Sequence, residues 1–333
     1  MNTANEAKIL KAISKKHGIP TDDAAIYTEP VRTGRTAVNK LTVNIGGRTF
    51  RLIEKCFTDD ITELLRYELL RDRGVETVGV YLIDTDDRRL VIEGLSETGI
   101  CGNAFEELTA DGDAYRASLG EVVRAASRFH AAFWDNYDAF GRVGLPWPLE
   151  SADNYNEHLA GMKRDLCRFT ELFPGKLTDD ELDCFESAFV YLGDNMPRVI
   201  ENRFNAGKSI TVIHGDLHPG NTFVLRGGNG EVRFIDMEAV RMGLPTDDLA
   251  MLLALHSAPG KDSEWYLQQY YDELSKTVEH YSYDELIGDY RLSVAQVMFH
   301  PIGVVGVRMN ICDTEMLRRA VKSYRELGIG ADE

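Results

Sequence analysis

A short turn of the sequence, "TVIHGDLHPGN" at residues 211–221, concentrates side chains that could do chemistry. It places two histidines, one aspartate and one asparagine behind a short apolar run. A second aspartate, Asp236, follows 15 residues after Asn221. Asparagine and aspartate oxygens are ligands that suit Mg²⁺, and a further carboxylate can orient a hydroxyl proton. Together these residues supply what phosphoryl transfer requires of a protein: positioning, the charge of a metal, and a group that directs the nucleophile.

Two short β runs must position these side chains. The run "TFVL" after Asn221 and the run "VRFID" ending at Asp236 are joined by a glycine- and asparagine-rich turn at residues 227–230, which predicts a strand pair. Asp216, Asn221 and Asp236 are therefore expected to converge on one edge of a two-stranded ribbon.

Residues 1–95 are predicted to form a small antiparallel sheet with an inserted helix. The sequence "AVNKLTVNIGGRTFRLIEKCF" contains two β-rich runs that meet at Gly46-Gly47, a two-residue hairpin turn. Residues 61–73 have leucine and isoleucine at helical spacing, and the runs "ETVGVYLID" and "RRLVIEGL" predict two more strands. The N-terminal segment is predicted to be an amphipathic helix with Ile9, Leu10 and Ile13 on one side.

The rest of the chain is mainly helical in pattern, which gives an α+β fold class. The sequence "SLGEVVRAASRFHAAFW" predicts a strong amphipathic helix, and "GNAFEEL" before it resembles the start of another. Further helices are predicted over residues 153–173 and 178–205, and from residue 249 to about residue 327.

Charge and composition limit the classes of binding partner that are expected. The net charge is −17, and because residues 1–95 are balanced it belongs entirely to residues 96–333. Nucleic acid and anionic membranes are therefore not expected partners, whereas an amine-bearing small molecule is plausible. The five cysteines are scattered, and no signal peptide or apolar run long enough to cross a bilayer is visible, so a cytoplasmic location is expected. The sequence does not indicate an oligomeric state.

The spacing of the polar residues resembles a known signature. "HGDLHPGN" at residues 214–221, followed by "IDMEA", is similar to the motif of the aminoglycoside phosphotransferase and choline kinase-like family, small-molecule kinases with a protein-kinase-like fold. "RTFRLIEK", "VIEGL" and "GLPTDDLAMLL" are similar to other family segments in the same order. The resemblance spans roughly residues 30–255 and implies two lobes, residues 1–95 covering the nucleotide and residues 96–333 carrying the catalytic turn and the acceptor pocket.

The resemblance implies a role for each residue of the catalytic turn. Asp216 would orient or deprotonate the hydroxyl of a small-molecule acceptor. Asn221 and Asp236 would hold Mg²⁺ against the phosphates of ATP, with GTP left open as the alternative nucleotide. Asp248 would accept hydrogen bonds from the backbone of residues 214–221.

On the nucleotide side the resemblance implies a lysine and its partner. Lys55 would contact the α- and β-phosphates, held by a carboxylate of the next helix, either Glu63 or Glu68. Backbone groups of Glu93 and Leu95 would contact adenine.

The sequence also departs from the protein-kinase pattern. It has no G-x-G-x-x-G motif, so the phosphate loop would be "RTGRTA" with the single glycine Gly34. The kinase D-F-G is replaced by Asp236-Met237-Glu238, and no A-P-E element follows. A protein substrate is therefore not expected.

The sequence alone leaves open the roles of several histidines and two alternatives to the kinase interpretation. His214 and His218 are expected to shape the loop, since imidazole is a poor Mg²⁺ ligand, and His130 is expected to be a packed core histidine. A metal-dependent phosphoesterase would use the same Asp, His and Asn types, but its ligand blocks would be further apart along the chain. A catalytically inactive nucleotide-binding protein is the other alternative.

Overall fold

The computed structural model describes residues 3–71, 73–102, 112–226 and 230–330. Contacts group the chain into a first unit, Met1–Ala104 with Thr222–Ala239, and a second unit, Phe105–Asn221 with Val240–Glu333. The predicted division after residue 95 stays a prediction. The helix start predicted at "GNAFEEL" lies largely outside the described residues, as does most of the turn at 227–230.

The first unit is built on a five-stranded antiparallel sheet. Its strands are β1 (Ala25–Arg32), β2 (Thr36–Ile45), β3 (Arg48–Phe57), β4 (Val80–Asp84) and β5 (Arg89–Glu93). They are arranged in the order β1-β2-β3-β5-β4. Helices α1 (Thr3–His17) and α2 (Thr62–Arg71) accompany the sheet.

Local sequence explains most of this sheet. Gly46 and Gly47 have φ of 55° and 71°, the left-handed values of a two-residue hairpin, so the predicted turn is confirmed. The buried face of α1 contributes Ile9 and Ile13 to a core with apolar residues of β2, β3 and β5. Strand β1 was not predicted, because most of its side chains are exposed and it shows no apolar alternation.

A second, three-stranded sheet in the first unit carries Asp236. It pairs β6 (Gly99–Ile100), β8 (Thr222–Leu225) and β9 (Val232–Phe234) in antiparallel order. The predicted pairing of the runs on either side of the 227–230 turn is thereby confirmed. Asp236 follows the end of β9, immediately before a single 3₁₀ turn at Met237–Ala239.

The second unit is mostly helical. The only sheet among its described residues pairs β7 (Thr211–Ile213) with β10 (Arg241–Gly243). The α-helices are α3 (Gly112–Ala131), α4 (Tyr137–Val143), α5 (Ala152–Leu172), α6 (Asp179–Val199), α7 (Pro245–Leu249), α8 (Glu264–Leu274), α9 (Tyr283–Val297) and α10 (Thr314–Glu326). Most of them were predicted from apolar periodicity.

Side-chain caps fix where several of these helices begin. Ser151 caps α5, and Thr178 and Ser282 form capping boxes with Glu181 and Glu285 at the starts of α6 and α9. Helix α3 packs along α8.

Three described segments take the wider π-helical conformation, which the sequence did not predict. They are Ile200–Phe204, Ala250–Ser257 and Pro301–Arg308. Such segments are uncommon and frequently occur at functional sites. In the part of the chain that the structure describes, no helix is both long and apolar enough to cross a bilayer.

Candidate functional site

In the first unit, Lys55 is held between two carboxylates. Its Nζ lies 2.5 Å from Oε1 of Glu63 and 2.9 Å from Oδ1 of Asp236. Strand β3 presents the lysine and the first turn of α2 presents Glu63. Of the two candidate partners on α2, Glu63 therefore makes the ion pair. The direct contact with Asp236 was not foreseen, because the two residues are far apart in sequence.

Burial and charge shape this cluster. Burial raises the pKa of Glu63, and the positive charge of Lys55 only partly offsets it. Burial by itself would lower the pKa of Lys55, but Glu63 and Asp236 outweigh that effect and raise it. Lys55 therefore keeps its positive charge. Asp236 has φ of 63°, a left-handed conformation that is costly for a non-glycine residue and is found disproportionately at functional sites.

A cavity of about 280 Å³ in the first unit adjoins this cluster. Its lining includes Glu63, the turn between β1 and β2, and the loop after β3. The lining residues are Arg32, Thr33, Arg35, Thr36, Phe57, Thr58, Asp60, Glu63 and Glu238. The turn itself contains Gly34, whose φ of 132° suits a residue without a side chain. The expected phosphate loop thus borders a cavity that is lined by two arginines and three acidic residues.

Glu93 and Leu95, expected to contact adenine, lie at and just beyond the end of β5. The Glu93 amide donates to the carbonyl of Gly79 at 2.8 Å. The Leu95 carbonyl accepts from the amides of Thr98 and Gly99 at 3.0 and 2.8 Å. These contacts hold the segment in place, and its binding role stays a prediction.

In the second unit, Asp248 holds the start of the turn at residues 214–221. Its two carboxylate oxygens accept hydrogen bonds from the amides of His214 (2.7 Å) and Gly215 (2.8 Å). This is the contact that the resemblance implied. Gly215 has φ of 80°, so the chain reverses there at a position that favours glycine.

His130 and Tyr270 complete a buried network behind Asp248. His130 Nε2 lies 3.1 Å from Oδ2 of Asp248, and its Nδ1 lies 2.8 Å from the Tyr270 hydroxyl. Burial alone would raise the pKa of Asp248, but the hydrogen bonds from His130 and the loop amides lower it below its ordinary value. Asp248 is therefore an anion that fixes the loop backbone.

His130 is thus more than the packed core histidine expected from sequence. The sequence did contain one indication of this role: His130 lies on the apolar face of α3, and a buried imidazole needs hydrogen-bond partners. The sequence could not identify those partners.

Asp216 is partly exposed at the turn. The Asn221 side-chain amide donates to the Asp216 carbonyl at 2.9 Å and to Oδ2 of its carboxylate at 3.1 Å. His218 Nε2 lies 3.7 Å from the same oxygen, and the nearby His218 ring lowers the pKa of Asp216. The carboxylate is therefore ionised at neutral pH and able to accept a proton.

His218 belongs to a group of histidines that was not predicted from the sequence. The rings of His218 and His256 lie 5.3 Å apart, inclined at 30°. Burial, with the nearby charges of His218 and His300, lowers the pKa of His256 to about 4, so its ring is neutral. His256 lies within one π-helical segment and His300 immediately precedes another.

The donor chemistry of the predicted metal ligands fits Mg²⁺. The side-chain nitrogen of Asn221 donates a hydrogen bond to Asp216, so the neutral side-chain oxygen of Asn221 remains as a possible metal ligand. Asp236 supplies a half-exposed carboxylate. Mg²⁺ takes such oxygen ligands together with phosphates and water. Among the described residues, no group of three or more His, Cys, Asp or Glu side chains is placed to hold a metal ion.

Comparison with known proteins assigns the chain to a family. The model of the phosphotransferase enzyme family matches residues 62–281, which is more than half of the chain. No curated protein matches the sequence.

Solved structures share the fold at low sequence identity. One from Ralstonia eutropha JMP134, named as a candidate aminoglycoside phosphotransferase, has a TM-score of 0.56 at 15% identity, covering 97% of this chain and 96% of that one. A microcompartment-associated aminopropanol kinase has a TM-score of 0.53 at 13% identity, with coverage of 97% and 96%. An aminoglycoside phosphotransferase from Alicyclobacillus acidocaldarius has a TM-score of 0.51 at 14% identity, with coverage of 91% and 88%. The expected kinase-like α+β fold is thereby confirmed.

Proposed function

The chain belongs to the phosphotransferase enzyme family, and from this premise we propose that it transfers the γ-phosphoryl group of ATP to a hydroxyl of a small molecule. The observation that carries the proposal is the state of Asp216. This ionised carboxylate is held by Asn221 and His218 on a turn whose backbone is fixed by Asp248.

Asp216 acts on the acceptor. Its carboxylate accepts the hydroxyl proton as the acceptor oxygen bonds to the γ-phosphorus. The bond from that phosphorus to the oxygen bridging to the β-phosphate breaks, and ADP leaves. Asn221 and Asp236 would hold Mg²⁺, which when bound offsets the negative charge of the phosphates.

The first unit binds the nucleotide. Lys55, ordered by Glu63, contacts the α- and β-phosphates, and the turn around Gly34 covers them. Backbone groups of Glu93 and Leu95 contact adenine. Arg32 and Arg35 line the cavity beside this turn, where their guanidinium groups would pair with phosphate oxygens; the acidic residues Asp60, Glu63 and Glu238 line the same cavity.

The acceptor is proposed to carry an amine. The net charge of −17 resides in residues 96–333, which favours cations over anions. Among the structures of similar fold, one is named for aminopropanol and others for aminoglycosides. A cytoplasmic location and a small-molecule acceptor remain parts of this proposal.

Thermal unfolding with nucleotide tests the binding half of the proposal. Ligands that bind only the folded state raise the melting temperature. ATP with Mg²⁺ should raise the melting temperature of the wild type and of Asp216→Asn. For Asp236→Asn, the additional rise that Mg²⁺ gives in the presence of ATP should be lost. Asp22→Asn, which changes an exposed aspartate, is the matched control and should behave as wild type.

ADP release with a panel of acceptors tests the chemical half. The panel is choline, ethanolamine, 1-amino-2-propanol, spectinomycin and streptomycin, with neutral sugars for comparison. At least one amine should be turned over, and Asp216→Asn should abolish that turnover. Stabilisation by Mn²⁺ or Zn²⁺ alone, with no effect of ATP or GTP, would contradict the proposal and support a phosphoesterase. Nucleotide binding without turnover of any acceptor would support an inactive nucleotide-binding protein.

A further inference from the structure

The two carboxylate oxygens of Asp216 have different surroundings. Oδ2 faces both donors, with the Asn221 amide nitrogen at 3.1 Å and His218 Nε2 at 3.7 Å. Among the residues that the structure describes, no donor lies within hydrogen-bonding distance of Oδ1. The side chain is therefore held through one oxygen and presents the other.

The His218 ring is fixed by contacts on its other side. The Gly220 amide donates to Nδ1 at 3.0 Å, and the His256 ring packs 5.3 Å away. A side chain at position 220 would place its Cβ 2.6 Å from Cε1 of His218, so only glycine lets the ring sit there. Since Nδ1 accepts a hydrogen bond, the ring proton is on Nε2, the nitrogen that faces Asp216.

We propose that His218 is a positioning residue: its Nε2–H holds Oδ2 of Asp216 so that Oδ1 receives the proton of the acceptor hydroxyl. This inference rests on the proposed function. His218 keeps its own proton throughout, because the acceptor proton passes directly to Oδ1 while the new oxygen–phosphorus bond forms. The separation of 3.7 Å is longer than a hydrogen bond, so this role requires it to shorten when the substrates bind, as the hydrogen bonds of catalytic groups commonly do.

Two substitutions separate positioning from loop shaping. His218→Gln keeps an amide donor near the place of Nε2 and loses the acceptor for the Gly220 amide. His218→Asn keeps an acceptor near the place of Nδ1 and loses the donor to Asp216. His280→Asn, at an exposed histidine, is the matched control.

Activity and stability should rank the two variants in opposite orders. Relative to wild type, His218→Asn should lower kcat by about tenfold to a hundredfold, because a misdirected base loses its alignment, while the KM for ATP stays within about twofold. His218→Gln should retain kcat within about fivefold and yet melt at a lower temperature than His218→Asn, because it loses the hydrogen bond that the Gly220 amide donates to Nδ1. Equal losses, or a kcat that follows the melting temperature, would overturn the positioning role.

A spectroscopic measurement tests the inference without any acceptor. Imidazole ¹H–¹⁵N correlation spectra of the full chain, with the His218 signals assigned by their loss in His218→Asn, report which nitrogen carries the proton. We expect the proton on Nε2 with Nδ1 as acceptor, and a neutral ring protonated on Nδ1 would overturn the inference. If no acceptor is turned over by the wild type, the proposed function fails whatever these spectra show; if the wild type is active and the variants behave alike, only the inference fails.

Discussion

The two units each contain a cluster around an aspartate, and the two clusters differ in exposure. In the first unit, the side chains of Lys55 and Glu63 are 12% and 4% exposed, but that of Asp236 is 47% exposed. In the second unit, the side chains of His130 and Asp248 are 0% and 2% exposed, and Tyr270 is fully buried. One cluster includes a carboxylate open to solvent, and the other is closed.

This difference in exposure indicates that one cluster holds the backbone in place and that the other is accessible to a ligand. Asp248 has partners for both of its oxygens, so its network is satisfied within the protein and serves to hold the backbone at His214 and Gly215. Asp236 is paired through Oδ1 with a lysine and remains accessible, so a ligand can bind there and change that pairing. Substitutions of Asp248 should therefore change stability first, and substitutions of Asp236 should change binding first.

The largest effect on stability is expected from Asp248→Asn. An amide group cannot accept hydrogen bonds from both loop amides and from His130, so at least one buried donor loses its partner, at a cost of about 3 kcal/mol in the free energy of unfolding. Urea unfolding measures this loss. Asp183→Asn, at an exposed position of α6, is the control and should change stability by less than about 0.5 kcal/mol. A comparably small change in Asp248→Asn would show that the closed network does not hold the fold.

Lys55→Met should have the next largest effect, because it leaves the Glu63 carboxylate buried without its cation. We expect a loss of about 2 kcal/mol, with most of it recovered in the double variant Lys55→Met/Glu63→Gln, which removes the buried charge as well. If the proposed function holds, both variants should also lose the stabilisation by ATP. A double variant that is no more stable than Lys55→Met would show that burial of the Glu63 charge is not the cause.

Tyr270→Phe should have a smaller effect. It removes the hydroxyl that contacts His130 and keeps the ring in the core, so about 1 kcal/mol is expected from the lost hydrogen bond. Tyr271→Phe, one position along α8, is the natural comparison and should melt closer to the wild type. If the two variants melt alike, the hydroxyl of Tyr270 adds nothing to the network.

The smallest expected effect is a pH-dependent change in the stability that Asp248 contributes. Its folded-state pKa lies below its unfolded value, so its contribution is fully present above the unfolded value of 3.8 and is lost as pH falls through the folded pKa. The stability difference between wild type and Asp248→Asn should therefore narrow below about pH 4, by up to about 1 kcal/mol at pH 3. Urea unfolding at pH 3, 4, 5 and 7 measures it, and a difference that is constant across this range would contradict the lowered pKa.

Much of the fold followed from local patterns. Apolar spacing predicted most of the helices, Gly46-Gly47 predicted the central hairpin, and the runs around 227–230 predicted the pair β8–β9. The exposed edge strand β1 and the π-helical segments escaped prediction, since neither leaves a pattern of buried residues with the usual period.

The sequence by itself determined the inventory of the site, because the motif residues of the turn are close along the chain. Asp216, Asn221 and His218 lie within six positions of one another, and their contacts form inside that turn. The tertiary structure alone decided the partners of residues that are distant in sequence. It selected Glu63 over Glu68 for Lys55, joined His130 to Asp248 and Tyr270, and placed His256 beside His218. Local spacing specifies which face of a helix or strand a side chain occupies, whereas the group that meets it there depends on how the elements pack.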